Sequence, residues 1–202
     1  IPIHKKKIEP KIFLHKKDLK QSSIIFAGEG ISRNDPFFYS AYVMNYILGG
    51  GGFFSKLTTE IREKRGLVYS VYSYLYRYDK YNFFFGGAET SNENVDKVIK
   101  IIKEEIMKVK KEGVTEEELK NAKNYLINSY VLRLDSNKKV ASILLNTQMD
   151  GLSTGFFEKR NDYINSVSLE DIKKVASRIL DENQIFFLVI GNPTDLKNAN
   201  KI

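Results

Sequence analysis

"LGGGGFFSKLTTEIREKRGLVYSVYS", residues 48–73, is the stretch on which the reading of this chain turns. It holds four consecutive glycines, a charged run at helical spacing, then tyrosines alternating with small residues. Glycine clusters ahead of a helix often cradle phosphate, because backbone N–H groups and the helix N-terminus favour an anion. A Walker loop, however, needs G-x-x-x-x-G-K-[ST] after a strand. Here Lys56 follows Ser55, and a helical pattern precedes the glycines. A dinucleotide-binding turn likewise needs a strand before it. The residues themselves read as a flexible helix–helix connector whose glycines supply left-handed φ values and close backbone approach.

Working outward, Asp35 as N-cap and Pro36 at the first helical position open a densely apolar helix that ends at the glycines,. Ser55 caps the next helix and Gly66 stops it. Residues 67–79 alternate Tyr and Val with other residues and read as a strand. Asp79 and Lys80 form a turn, and residues 81–90 return as a hairpin partner,. Residues 22–27 form an earlier strand, and residues 1–20 an extended basic lead-in.

Val95, Val98, Ile99, Ile102, Ile106 and Val109 recur at three- and four-residue spacing, giving an amphipathic helix stopped by Gly113,. Thr115 and Glu118 have capping-box form and open a helix to about Leu134. A helix ending at Gly151, a short one after it, and one capped by Ser168 and Asp171 follow. The continuous apolar run "IFFLVIG" is the last strand. The order predicts an α+β fold: a mostly antiparallel sheet with helices packed on one face. It is expected as a single domain over residues 1–202, with its core at about 22–193.

Composition narrows the chemistry. The 202 residues carry 32 basic and 25 acidic side chains, a net charge of +7. The lysines interleave with glutamates on helix faces, and no nucleic-acid-binding signature is present, so nucleic acid is not an expected partner. No apolar run reaches the roughly 18 residues of a membrane span. There is no signal peptide pattern, and the chain begins with Ile1, as a piece or processed product of a longer protein would,. No cysteine is present, and His4 and His15 are the only histidines. A helical H-E-x-x-H or H-x-x-E-H site needs two imidazoles on one face, so no metal ligand set is expected here.

One resemblance adds to this reading. "NYILGGGGFFSKLTTEIREKRGLVYSVYSYL" resembles the second-domain signature of the pitrilysin/insulinase zinc peptidases, which include mitochondrial processing peptidase. "ISRNDPFFYSAYVMNYILGGGG", "VTEEELKNAKNYLINSYVLRLDSN" and "VSLEDIKKVASRILDENQIFFLVIGNP" extend the likeness over residues 22–193. The resemblance implies two similar α+β half-domains facing each other across a closed chamber. It implies zinc on the other half or on a sister chain, none on this one, and a peptide substrate. It also assigns Arg62 and Tyr69 to contact substrate near the zinc, and Gly49, Gly50, Gly51 and Gly52 to line the chamber or form a mobile loop. By this resemblance the chain is inactive alone and belongs either to a two-domain peptidase or to a non-catalytic partner or scaffold subunit. Relatives place it in a bacterial periplasm or cytoplasm without deciding which.

Overall fold

The structure is a computed structural model that describes residues 11–78, 81–153, 155–181 and 183–202. The expected turn at Asp79 and Lys80, like His4, lies outside the described residues.

Six strands form one sheet: β1 (Ile12–Lys16), β2 (Gln21–Glu29), β3 (Val68–Tyr78), β4 (Tyr81–Ser91), β5 (Phe186–Gly191) and β6 (Asn200–Lys201). Their order across the sheet is β3-β4-β2-β5-β1-β6. The pairings β3–β4, β4–β2 and β2–β5 are antiparallel, as expected. The pairings β5–β1 and β1–β6 are parallel. The basic lead-in therefore contains a sheet strand, with Leu14 buried. The apolar run at β5 is followed by one more short strand. Neither extra strand was legible, because β1 is short, flanked by lysines, and pairs with residues about 175 positions away.

The helices are α1 (Phe38–Asn45), α2 (Val95–Glu112), α3 (Glu116–Asn128), α4 (Asn137–Met149), α5 (Phe156–Asn165) and α6 (Leu169–Ile179). All six apolar residues predicted for the inner face of α2 are buried. Both capping boxes are present: Thr115 Oγ1 accepts the Glu118 N–H at 3.1 Å, and Ser168 Oγ accepts the Asp171 N–H at 3.1 Å. Asp35 does not cap α1. Its carboxylate accepts the Phe37 N–H at 2.9 Å in a turn ahead of the helix, which begins at Phe38. The helix predicted to reach Leu134 ends at Asn128 and tightens into a 3-10 segment, Ser129–Leu134.

Side chains of one parity on the strands meet the helices. Phe26, Phe84 and Phe187 are fully buried there, with ring centroids 5.9 Å apart in both pairs that involve Phe26. Burying each such ring is worth roughly 1.5–3 kcal/mol. The opposite face carries Tyr72, Tyr74, Tyr76 and Phe85, and the three tyrosines are between 40% and 48% exposed.

Candidate functional site

Arg62 lies in the last turn of a helical segment, Thr58–Glu63, that is wider than an α-helix. The Lys64 N–H reaches back five residues to the Thr59 carbonyl at 3.0 Å,. Ser55 Oγ accepts the Thr58 N–H at 3.4 Å, and the Gly66 N–H closes the segment on the Arg62 carbonyl at 2.8 Å. Both expected boundary signals are in use.

Tyr69 is placed by a break in the alternation that the sequence reading took as continuous. Val68 faces Thr90 while Val71 faces Ala88, so three steps on β3 match two on β4. That is a β-bulge at residues 69 and 70. With unbroken alternation, Tyr69 would share the buried side of Val71 and Ser73. The bulge puts it outward, 86% exposed, on the same side as the tyrosine row. The repeated triplet "VYSVYS" was the available signal.

The bulge and the wide helical turn bring the two predicted residues together. The Arg62 guanidinium carbon is 5.6 Å from the Tyr69 ring centroid and 4.5 Å from that of Phe53. Both distances fall within the ~6 Å reach of a cation–π contact. Phe53 went unrecognised in the sequence, although an aromatic beside four glycines was the clue. Glu63 approaches the guanidinium at 3.7 Å, and among the described residues no hydrogen bond takes its N–H groups. An open fork of donors and an exposed phenol thus share one surface.

The glycines serve chiefly for close approach. A Cβ on Gly49 would sit 2.3 Å from Ser73 Oγ, one on Gly50 2.8 Å from Asn45 Nδ2, and one on Gly51 2.7 Å from the Tyr46 carbonyl. Only Gly52, at φ +57°, uses the left-handed region. Asn45 locks this wall to β3. Its Nδ2 donates to the Ser73 carbonyl at 3.1 Å, and its Oδ1 accepts from Ser73 Oγ at 2.8 Å. Between the glycine wall and β3 lies a cavity of about 650 Å³, with Phe53 on its border.

The described residues do not fit zinc. Among the described residues no group of three or more His, Cys, Asp or Glu is placed to hold a metal ion. His15 lies instead at the sheet margin, Nδ1 3.3 Å from the Ile202 carbonyl. No helix of the described residues is long and apolar enough to cross a membrane.

Comparison with known proteins agrees with this architecture. The family model described as "Peptidase M16 inactive domain" matches residues 2–126. The chain is 29% identical over 175 residues to the uncharacterized zinc protease YmxG of Bacillus subtilis, covering 86% of this chain and 42% of that protein. It is 32% identical over 155 residues to the non-peptidase homolog YmxG of Helicobacter pylori, covering 74% and 34%. The chain thus spans about two fifths or less of these relatives' length. A peptidase M16 inactive domain from Pseudomonas fluorescens superposes with a TM-score of 0.85 at 27% identity, covering 95% of this chain and 45% of that one. An inactive peptidase domain from Bordetella parapertussis superposes with a TM-score of 0.71 at 14% identity, covering 85% and 93%, and shares the fold. The chain belongs to the peptidase M16 family, as its inactive C-terminal type of domain.

Proposed function

We propose that this chain is the substrate-contacting domain of a zinc metalloendopeptidase that hydrolyses peptides in a closed chamber, and that it is inactive by itself. The metal and the water it activates belong to a complementary zinc-bearing half or sister subunit. This chain contributes binding and charge stabilisation. The observation that carries the reading is the pairing of half-buried Arg62 with exposed Tyr69, on one surface beside a bulge and Phe53. In this role the Tyr69 O–H donates to the carbonyl oxygen of the bond being cleaved, where negative charge develops. Arg62 holds neighbouring backbone carbonyls with its fork of donors. The uncovered tyrosine face of the sheet, in a chain spanning less than half of its relatives, supports a second domain opposite this one.

The test is Tyr69→Phe in the assembly of this chain with its zinc-bearing counterpart, assayed on a quenched peptide. Turnover should fall about 10- to 1000-fold with KM nearly constant, as when a transition-state donor is lost. Unchanged turnover would overturn the assignment. A second reading, a non-catalytic partner or scaffold subunit, is favoured by the Helicobacter pylori relative's designation as a non-peptidase homolog. It requires that the assembly cleave no peptide before any substitution is made.

A further inference from the structure

The cavity beside the glycines has a chemistry of its own. It runs along β3, the edge strand of the sheet. An edge strand normally invites a peptide to add as another strand. Here two outward carbonyls are already taken: that of Ser73 by Asn45 Nδ2, and that of Val71 by the Thr58 hydroxyl at 3.5 Å. Recognition along this stretch therefore leans on side chains.

Those side chains are aromatic and cationic. Tyr46 and Tyr125 stack with ring centroids 5.2 Å apart on one wall, and Phe53 and Phe54 close the rim. Among the described residues Arg133 is the one charged residue on the lining. Among the described residues Arg133 makes no ion pair or hydrogen bond. The carboxylate of the neighbouring recess, Glu118, is already neutralised by Lys56. Burial, with Tyr125 and Tyr42 beside it, pushes the Tyr46 hydroxyl up to about 12, so it remains an O–H donor at all physiological pH values. An exposed guanidinium with no partner among the described residues, bordering the same cavity as a phenol donor and a stacked pair of rings, complements a carboxylate attached to an apolar neighbour.

We infer that this cavity is a specificity subsite for an acidic residue of the bound peptide: a side-chain carboxylate on Arg133, with an adjacent apolar side chain against the Tyr46–Tyr125 wall. This rests on the peptide-binding role proposed above. Phe53 joins the two sites, since it borders the cavity and also lies under Arg62.

Fluorescence polarisation on the 202-residue chain tests it, using two labelled peptides blocked at both ends. One carries Glu-Phe at its centre and the other Gln-Phe. The Glu peptide should bind about tenfold more tightly, the usual advantage of a charge-assisted over a neutral hydrogen bond. Added salt should narrow that gap. Arg133→Gln should abolish the preference while the Gln peptide binds as before, and Arg133→Lys should restore part of it. Equal binding of both peptides to the unmodified chain would overturn the subsite and leave the peptide role standing. So would a preference that survives in Arg133→Gln with an unchanged melting temperature. Binding of neither peptide would overturn both.

Discussion

Single atoms decide the geometry where the glycine wall meets β3. Gly49 is the sharpest case. An added methyl would meet Ser73 Oγ at 2.3 Å and the Ser73 nitrogen at 2.8 Å. The nitrogen belongs to a paired strand and cannot yield cheaply. Gly49→Ala is therefore expected to destabilise the chain by about 1–3 kcal/mol, the range for overpacking a well-filled site, and toward its upper end. Gly52→Ala meets nothing within 4 Å and is charged only for its positive φ, about 1 kcal/mol. Urea unfolding of the two variants separates them. Equal losses would mean that the glycines serve conformation alone. Tyr69, in contrast, is so exposed that its phenylalanine variant should melt with the parent, which makes its kinetic test clean.

Elements hold these residues at the right place. The segment Thr58–Glu63 presents Arg62, and it is tied to α3 through Lys56 and Glu118. Glu118 also completes the cap of α3, accepting the Thr115 N–H at 2.9 Å. One carboxylate thus satisfies an orphan N–H of the helix start and neutralises a lysine beside the site. Thr115→Ala removes the reciprocal bond and should cost about 1 kcal/mol. In a chain of this size that is roughly 2–4 °C of melting temperature, readable by calorimetry. An unchanged melting temperature would show that the cap is redundant with the Lys56 tie. The bulge in β3 acts at the same scale: one unpaired residue lets Tyr69 and the row Tyr72, Tyr74, Tyr76 share a face.

Across the whole molecule, acid should act through a set of paired carboxyls. Lys64 and Arg65 hold Glu60 below its ordinary 4.5, and Ser168 holds Asp171 below 3.8. Burial pushes Asp35 and Glu118 upward, but Arg178 and Lys56 bring both out below their ordinary values. A carboxyl held low in the fold contributes stability above its unfolded pKa and loses it as pH falls through its folded value. Glu105, pushed up by burial, works in the opposite sense. The melting temperature should thus drop steeply below about pH 4. A flat profile from pH 5 to pH 3 would mean that these pairs are worth no more in the fold than in the unfolded chain.

Local physics was legible without coordinates. The capping boxes at Thr115 and Ser168, the apolar stripe of α2, the hairpin of β3 and β4 and the stop at Gly66 all depend on neighbours within a few residues. Periodicity and side-chain chemistry report such neighbours directly. The motif in residues 48–73 likewise pointed to the family and singled out Arg62 and Tyr69. What only the folded molecule decided depends on partners far apart in the chain. β1 enters the sheet between β5 and β6 because its short apolar face completes a layer formed by residues near the other terminus. The bulge exists because Val68 and Val71 must both be buried opposite Thr90 and Ala88. Asn45 meets Ser73, and Arg133 borders the same cavity as the glycine wall, across separations that no local pattern encodes. Pairing over such distances is selected by the burial of whole faces at once, so it becomes visible only when the sheet and its helices are assembled.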